Sequence, residues 1–365
     1  MKKNILIIGN TNLYGGVGHI IEEYCNKLYG EDFHFDFLYY EQYTEEEIVF
    51  FRSINASFYT VPRYSRTPLK FIKFMRRFCA EKYYDIIHCH ASTAMLVMYA
   101  LPFYLWDKTL ILYHSHLSSN NISFLHCMMR FLVCKISTKY IAVSKMAGIY
   151  MYGKKGINSN RFCLLKNGIC YENYLFSKSS RDFIRNKLGI SEDEFVIGNI
   201  GRFEKQKNHK YIIDVFKKFY ETNRNAKLIL IGDGSLKKQI QQKTIEFDIS
   251  DAVLFLPNTK EVCKYYSAMD VFLFPSKYEG LGIVAVEAQI SGLPVIASTK
   301  VPIEADISPL FHALSLDEKK EAWVDQIYSV MRNRRESLPR DLFEASGYSI
   351  DKSIQQLKDI YVNRY

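Results

Sequence analysis

Short apolar runs alternate with amphipathic segments along the first half of the chain. All of these runs except the last are followed by a segment whose apolar residues recur at helical spacing. The runs are 5–8, 35–39, 85–89, 109–113, 140–143 and 162–165, and the helical segments are 17–28, 69–82, 93–104, 122–136 and 144–152. Strands that alternate with helices are typical of a doubly wound parallel sheet.

A second series of the same kind begins after a polar stretch. Residues 167–181 open with the turn dipeptide Asn167-Gly168 and are predicted to be a linker. Further strand-like runs follow at 196–200, 228–231, 253–256, 271–274 and 295–296, and an amphipathic segment at 350–365 predicts a final helix. We predict an α/β protein with two Rossmann-like, doubly wound domains, 1–172 and 173–349. The length of 365 residues suits two domains.

Composition indicates a globular protein with an anionic partner. The chain is 48% hydrophobic and 24% charged, with a net charge of +9. That charge favours nucleic acid, a phosphorylated substrate or an acidic membrane surface. No arginine-rich run, helix-turn-helix pattern or zinc-finger spacing accompanies it, so nucleic-acid binding is not predicted.

Two further features indicate a cytoplasmic protein without a spanning helix. The apolar run after Lys3 ends at Gly9, too soon for a signal peptide. The uncharged window 94–106 contains Pro102 and is shorter than the roughly 20 residues that a spanning helix needs, so it predicts a buried helix. The eight cysteines form no CxxC pair and are predicted to be reduced core thiols.

The stretch 270–298 predicts a strand, a polar loop, a helix and a second strand. Glu279 lies in the loop and Glu287 on the helix. Ligands of open parallel sheets bind at the carboxyl ends of strands, so the two carboxylates are predicted to share a crevice. Gly280 and Gly282 allow backbone N–H groups at the helix N-terminus to approach a phosphate. One carboxylate would then hold ribose hydroxyls and the other a sugar.

Two other loops carry candidate anion-binding groups. Arg202 and Lys207 follow the strand that ends at Gly201, where two cations can hold a diphosphate; a solvated basic loop is the alternative. Gly15 and Gly16 stand between the first strand and the first helix and could form a backbone anion nest, with a structural tight turn as the alternative.

Two pairs of histidines occur at strand ends. His88 and His90 lie in DIIHCH, and His114 and His116 lie in LILYHSH. Four imidazoles could bind zinc. An HxH pair also arises from strand alternation, and no thiol pair completes a site, so a metal is not predicted.

The segment 120–145 has an apolar helical pattern with basic residues beside it. Phe124, Met128 and Phe131 belong to that pattern, which predicts a core helix. Arg130 and Lys135 allow a second interpretation, a basic face that contacts acidic lipids.

Several of these motifs together resemble the family 4 retaining glycosyltransferases. The motifs are PSKYEGLG (275–282), EAQISGLPVIAS (287–298), GRFEKQKN (201–208) and GDGSL (232–236), where Ser235 replaces the family's proline. The resemblance implies a GT-B fold, with two domains facing each other across a cleft and the final helix packed on the first. The chain departs from the family pattern at Pro257, where many relatives have glycine beside the nucleotide base.

The resemblance also implies roles for particular residues. It places one histidine against the donor sugar, best matched by His116 and next by His114. The implied catalytic residues are His116, Glu279, Arg202 and Lys207, and the implied substrate-binding residues are Gly15, Gly16, Arg202, Lys207, Glu279, Gly280, Leu281, Gly282 and Glu287. No metal or other cofactor is expected, because basic residues can neutralise the diphosphate.

The implied activity is transfer of a sugar, with retention of configuration, from a nucleotide diphosphate donor, most simply a UDP-sugar. The acceptor would be a sugar hydroxyl on a lipid-linked glycan, in bacterial capsular or exopolysaccharide biosynthesis at the cytoplasmic membrane face. Peripheral contact with acidic membrane fits the net charge of +9.

Two other classes remain as alternatives. A nicotinamide-dependent oxidoreductase needs GxGxxG with an acidic residue about 20 residues later, and the segment from Gly9 to Gly18 does not fit that spacing. A catalytically silent, sugar-nucleotide-binding scaffold would keep the fold and lose the charges. The presence of Arg202, Lys207, Glu279 and Glu287 together argues against a scaffold.

Overall fold

The structure, a computed structural model, divides into two units. It describes residues 2–9, 16–30, 32–106, 109–118, 122–332 and 335–363. Unit 1 comprises Met1–Gly168 with Ile350–Tyr365, and unit 2 comprises Ile169–Ser349. The division therefore follows Gly168, slightly before the boundary at 172 that the sequence indicated.

Each unit is built on one parallel sheet. Unit 1 contains β1 (Lys3–Gly9), β2 (Phe33–Tyr39), β3 (Phe58–Thr60), β4 (Ile86–Ala91), β5 (Leu110–Ser115), β6 (Lys139–Ala142) and β7 (Phe162–Leu164). Unit 2 contains β8 (Phe195–Ile200), β9 (Ala226–Ile231), β10 (Val253–Leu256), β11 (Val271–Phe274), β12 (Val295–Ser298) and β13 (Phe311–Leu314). The central strands are almost entirely buried, as expected for strands covered by helices on both faces.

Helices connect the strands in both units. They are α1 (Gly16–Leu28), α2 (Glu45–Ser53), α3 (Pro68–Glu81), α4 (Val97–Trp106), α5 (Phe124–Ile136), α6 (Lys145–Ile157), α7 (Lys178–Leu188), α8 (His209–Thr222), α9 (Lys237–Glu246), α10 (Val262–Ala268), α11 (Ile283–Ile290), α12 (Lys320–Val330), α13 (Arg340–Ser346) and α14 (Ile350–Val362). Among the described residues, no helix is long and apolar enough to cross a membrane.

The strand order places a switch point in each sheet. The orders are β3-β2-β1-β4-β5-β6-β7 and β10-β9-β8-β11-β12-β13, so the chain reverses direction across the sheet between β1 and β4, and between β8 and β11. Ligands of such sheets bind outside the carboxyl ends of the strands at this point. The loops after β8 and β11 therefore start beside each other in unit 2.

Some elements differ from the sequence predictions. The prediction that the linker extends to Arg181 was wrong, because α7 already begins at Lys178. Ser177 caps this helix by accepting a hydrogen bond from the Ser180 N–H. The short edge strand β3 was not predicted. Nor was α2, which begins at a capping box formed by Thr44 and Glu47.

The final helix packs within unit 1. Leu357, Ile360 and Tyr361 of α14 are buried in the same core as β1 and β2. The Tyr361 ring lies 5.5 Å from the Phe33 ring, centre to centre, and the Lys3 ammonium donates to the Tyr361 carbonyl oxygen at 2.7 Å. Residues from both ends of the sequence thus complete the core of unit 1.

The side of α5 that packs inward differs from the prediction. His126, Val133 and Ile136 are buried, whereas Phe124 is 81% and Phe131 is 73% exposed. The expectation that Phe124 and Phe131 are core residues was wrong. The helix carries two apolar faces, and the more aromatic one is at the surface.

Candidate functional site

The loops after β8 and β11 are joined by hydrogen bonds. The Lys277 N–H donates to the Gln206 carbonyl oxygen at 2.8 Å, and the Asn208 side-chain amide donates to the Pro275 carbonyl oxygen at 3.1 Å. The Gln206 amide also donates to the Tyr278 carbonyl oxygen at 3.1 Å. The two motifs that carry the candidate cations and carboxylates therefore form one continuous surface of unit 2.

Lys207 and Glu279 form an ion pair at the centre of this surface. The Lys207 ammonium donates to Oε1 of Glu279 at 2.7 Å, and their side chains are only 14% and 7% exposed. The Gln206 amide donates to the other carboxylate oxygen at 3.2 Å. Because charges removed from water need partners, these contacts hold the Glu279 side chain in one orientation.

Arg202 is exposed at the start of the same loop. The backbone around it is packed closely against the GDGSL segment, since a Cβ at Gly232 would lie 2.2 Å from the Gly201 carbonyl oxygen and one at Gly234 would lie 2.7 Å from the Phe203 nitrogen. Glu204 accepts hydrogen bonds from the Ser235 N–H and hydroxyl, each at 3.0 Å. These contacts fix the backbone while leaving the Arg202 side chain accessible.

The glycines of PSKYEGLG lead directly into α11. Gly282 has a φ of 87°, and a Cβ there would lie 3.0 Å from the Phe274 ring, so a side chain would be strained and crowded. Gly280 and Leu281 are buried beside it. The first N–H groups of a helix lack intrahelical acceptors, which gives this end of α11 the partial positive charge that suits an anion.

Glu287 lies on α11, a little more than one turn after the helix begins at Ile283. Its carboxylate is buried and accepts a hydrogen bond at 2.7 Å from the hydroxyl of Tyr266, a fully buried residue on α10. Burial, and then the neighbouring Glu287 charge, hold the pKa of Tyr266 well above its ordinary value. Tyr266 therefore remains a hydrogen-bond donor to Glu287.

His116 follows β5 in unit 1. Its Nε2 lies 2.9 Å from Nδ1 of His90, and burial lowers the pKa of His116 to about 3. His114, the second match for a sugar-contacting histidine, is fully buried within the strand, whereas His116 retains slight exposure at the strand end. Gly16 is the first residue of α1. Gly15 lies outside the described residues.

Two residues that the sequence analysis did not identify hold the carboxylates. Gln206 contacts Glu279, and Tyr266 contacts Glu287. Gln206 adjoins Lys207, but a glutamine in a polar loop carries no signal of burial. Tyr266 lies in an aromatic-rich helix that looked like core. Only the fold brings each residue to its carboxylate.

Comparisons with known proteins cover both halves of the chain. The model of Glycosyltransferase Family 4 matches residues 14–172, and the model of Glycosyl transferases group 1 matches residues 180–346. The putative glycosyltransferase EpsF of Bacillus subtilis is 28% identical over 99% of this chain and 96% of its own length. The UDP-Gal:alpha-D-GlcNAc-diphosphoundecaprenol alpha-1,3-galactosyltransferase of Escherichia coli is 22% identical over 77% of this chain and 76% of its own.

A solved structure shares the fold. Anabaena Alr3699/HepE, in complex with UDP and glucose, superposes with a TM-score of 0.81 at 16% identity, over 99% of this chain and 100% of that one. The predicted fold class, a GT-B arrangement of two Rossmann-like domains, is confirmed. The two family models between them account for most of both units, and the chain belongs to the family 4 glycosyltransferases.

Proposed function

We propose that this glycosyltransferase transfers a sugar from a UDP-sugar to a hydroxyl of a lipid-linked glycan, with retention of anomeric configuration and without a metal ion in the reaction. The product would enter bacterial capsular or exopolysaccharide biosynthesis. The observation that carries the proposal is the buried Lys207–Glu279 pair beside the N-terminus of α11.

In the proposed mechanism, cationic groups receive the diphosphate. The Lys207 ammonium has three N–H donors. One of them donates to Glu279, so the other N–H groups can donate to phosphate oxygens. The accessible Arg202 guanidinium can bind two oxygens at once. Negative charge grows on the leaving phosphate as the glycosidic bond breaks, so these cations stabilise the transition state more than the ground state.

Glu287 is proposed to accept hydrogen bonds from both ribose hydroxyls. A carboxylate fills this role in dinucleotide sites on related sheets. The Tyr266 hydroxyl occupies one side of the Glu287 carboxylate and limits its rotation. A preorganised carboxylate loses less conformational entropy when the donor binds.

The retaining stereochemistry rests on the role of Glu279. Its two carboxylate oxygens contact Lys207 and Gln206, which suits stabilisation of positive charge at the anomeric carbon better than removal of an acceptor proton. The proposed route is therefore a front-face reaction. The acceptor attacks on the side that the phosphate leaves, and a phosphate oxygen takes the acceptor proton. His116 is proposed to hydrogen-bond the donor sugar.

The donor and acceptor classes draw support from similar proteins. HepE binds UDP with glucose, and the Escherichia coli relative is named for a UDP-galactose donor and a diphosphoundecaprenol-linked acceptor. A lipid-linked glycan presents its reactive sugar at a membrane surface. The net charge of +9 favours electrostatic attraction of the protein to acidic lipids.

A donor panel tests the proposed activity. UDP-sugars at 100 times Kd should stabilise the chain by about 3 kcal/mol, which raises its melting temperature by a few degrees. The preferred UDP-sugar should also be hydrolysed slowly without added Mg²⁺ or Mn²⁺. ADP- and GDP-sugars serve as controls. Stabilisation without hydrolysis of any UDP-sugar would indicate the silent scaffold, and a rate that depends on added Mg²⁺ or Mn²⁺ would contradict a metal-free reaction.

A basic groove beside α5 is the proposed membrane contact. The groove has a volume of about 570 Å³ and is lined by Arg130, Lys154, Lys155 and Arg161 around the exposed Phe131 ring. Phe124, Met128 and Phe131 follow one exposed stripe of α5. Aromatic rings that enter the headgroup region next to cations are typical of interfacial helices.

Vesicle sedimentation tests this contact. The chain should sediment with vesicles rich in phosphatidylglycerol and not with pure phosphatidylcholine, and salt should release it. The double substitution Lys154→Glu and Lys155→Glu should weaken binding at least tenfold, because each basic residue near the surface contributes about 1 kcal/mol. The matched control makes the same charge change at exposed Lys187 and Lys238 of unit 2. Equal loss in both variants would show a non-specific charge effect.

A further inference from the structure

Four histidine rings converge on one face of the unit 1 sheet. Strands β4 and β5 are paired in register with His90 opposite His114, so His88, His90, His114 and His116 point to the same side. The ring centres of His88 and His90, and those of His114 and His116, are 4.1 Å apart. All four residues are buried.

Several nitrogens of this cluster lack hydrogen-bond partners among the described residues. They are Nε2 of His88, both ring nitrogens of His114 and Nδ1 of His116. Burial of all four residues favours the uncharged form of the imidazole. A neutral imidazole offers one N–H and one lone pair, and a buried polar atom without a partner is uncommon enough to need a cause.

One ring nitrogen from each of His88, His90 and His114 lies within 4.8 Å of the other two. Neutral imidazole nitrogen is a preferred ligand of Zn²⁺, with an N–Zn distance of about 2.0–2.1 Å. We propose that His88, His90 and His114 bind one zinc-type divalent cation. Three histidines leave a fourth position, which water occupies in other three-histidine zinc sites.

The surrounding groups select the nitrogens that would bind. Nδ1 of His88 lies 2.7 Å from the Tyr361 hydroxyl, which leaves Nε2 for the metal. Nδ1 of His90 lies 2.9 Å from Nε2 of His116, which likewise leaves Nε2 of His90. Metal-binding histidines usually make such a second hydrogen bond, which fixes the tautomer and orients the ring. Tyr361 belongs to α14, so the ion would connect two strands to the final helix.

The proposed metal ligands are different residues from those proposed to bind the diphosphate. The cations Arg202 and Lys207 lie in unit 2, whereas all three ligands belong to unit 1. The expected role of the ion is to stabilise unit 1. The two HxH pairs in the sequence could not establish a metal site, because strand alternation alone produces the same spacing.

Metal titration of the full-length chain, freed of any affinity tag and treated with a chelator, tests the proposal. Calorimetry should show one Zn²⁺ per chain, with a rise in melting temperature that follows the Zn²⁺ concentration. Co²⁺ should give the visible absorption of a tetrahedral nitrogen site, without the charge-transfer band of a thiolate. Failure of the folded chain to bind Zn²⁺ at millimolar concentration would overturn the proposal.

Three variants locate the ion. His114→Ala removes a ligand and should abolish the Co²⁺ spectrum. Tyr361→Phe keeps the ring in the core and removes only the hydroxyl, so it should weaken Zn²⁺ binding about 10- to 100-fold. If the His114 variant does not fold, the Zn²⁺ affinity of the Tyr361 variant tests the proposed site. His126→Gln, at a buried histidine that contacts the Tyr150 carbonyl oxygen instead of the cluster, should bind as the parent does. Unchanged affinity in the Tyr361 and His114 variants would assign the metal to other ligands, such as the exposed Cys127.

Discussion

Replacement of Arg202 or Lys207 by alanine is expected to lower turnover about 100- to 1,000-fold. Removal of one preorganised group that stabilises developing negative charge has a cost of this order. Affinity for uridine, which has no phosphate, should change little, because the cations act on the diphosphate. Initial rates with a UDP-sugar, together with uridine binding by calorimetry, separate the two effects.

The matched control for these variants is Lys205→Ala. Lys205 is an exposed lysine of the same loop and has no proposed ligand contact. Lys207→Ala also leaves the Glu279 carboxylate without its cation in a buried position, which costs about 3–5 kcal/mol of folding stability. Its melting temperature must therefore be measured, and Arg202→Ala, at an exposed position, gives the cleaner test. If a folded Arg202 variant has the same turnover as the parent, Arg202 does not stabilise the leaving diphosphate.

The two carboxylates are expected to give different kinetic defects. Glu279→Gln should lower kcat by about 100-fold or more, because the neutral amide cannot stabilise positive charge at the anomeric carbon. Its nucleotide affinity should remain near that of the parent. Glu287→Gln should instead weaken donor binding by about tenfold or more with a smaller effect on kcat, since charged hydrogen bonds contribute about 1.5–3 kcal/mol. Steady-state kinetics and UDP titration give both quantities.

Neighbouring residues supply the controls for this pair. Tyr266→Phe loses the hydroxyl that orients Glu287 and should show the Glu287 defect in weaker form. Glu321→Gln, at an exposed helix position paired with Lys218, should have no kinetic effect. A fully active Glu279 variant would contradict the mechanism, and so would a product with inverted configuration by NMR. Neither result would alter the fold.

The sequence predicted the parts of the fold that depend on local pattern. The central strands are apolar runs between polar loops, so β8 and β11 were predicted within one residue of their observed limits. The three-residue edge strand β3 was not predicted, because too few of its residues are buried to create a pattern. For α5, helical periodicity predicted a core helix through Phe124 and Phe131, but local sequence contains no information on which face meets the sheet.

The site could be predicted only in part for a related reason. The motifs identified Lys207 and Glu279 separately, yet these residues are 72 positions apart, and their ion pair follows from the adjacency of β8 and β11. The hydrogen bond of His88 to Tyr361 spans 273 positions and was likewise beyond local pattern. Contacts of this kind depend on strand order, which a single sequence specifies only through the completed fold.

The membership of α14 in unit 1 has a consequence for biosynthesis. The ribosome completes the whole of unit 2 before it synthesises Ile350–Val362, so the first domain to emerge is the last to acquire its full core. Domains commonly fold in order of their emergence during translation. Here the nascent first half must instead wait with Phe33 and Phe35 uncovered by the Tyr361 ring. Those aromatic residues are the surface that a chaperone would protect until α14 has been synthesised.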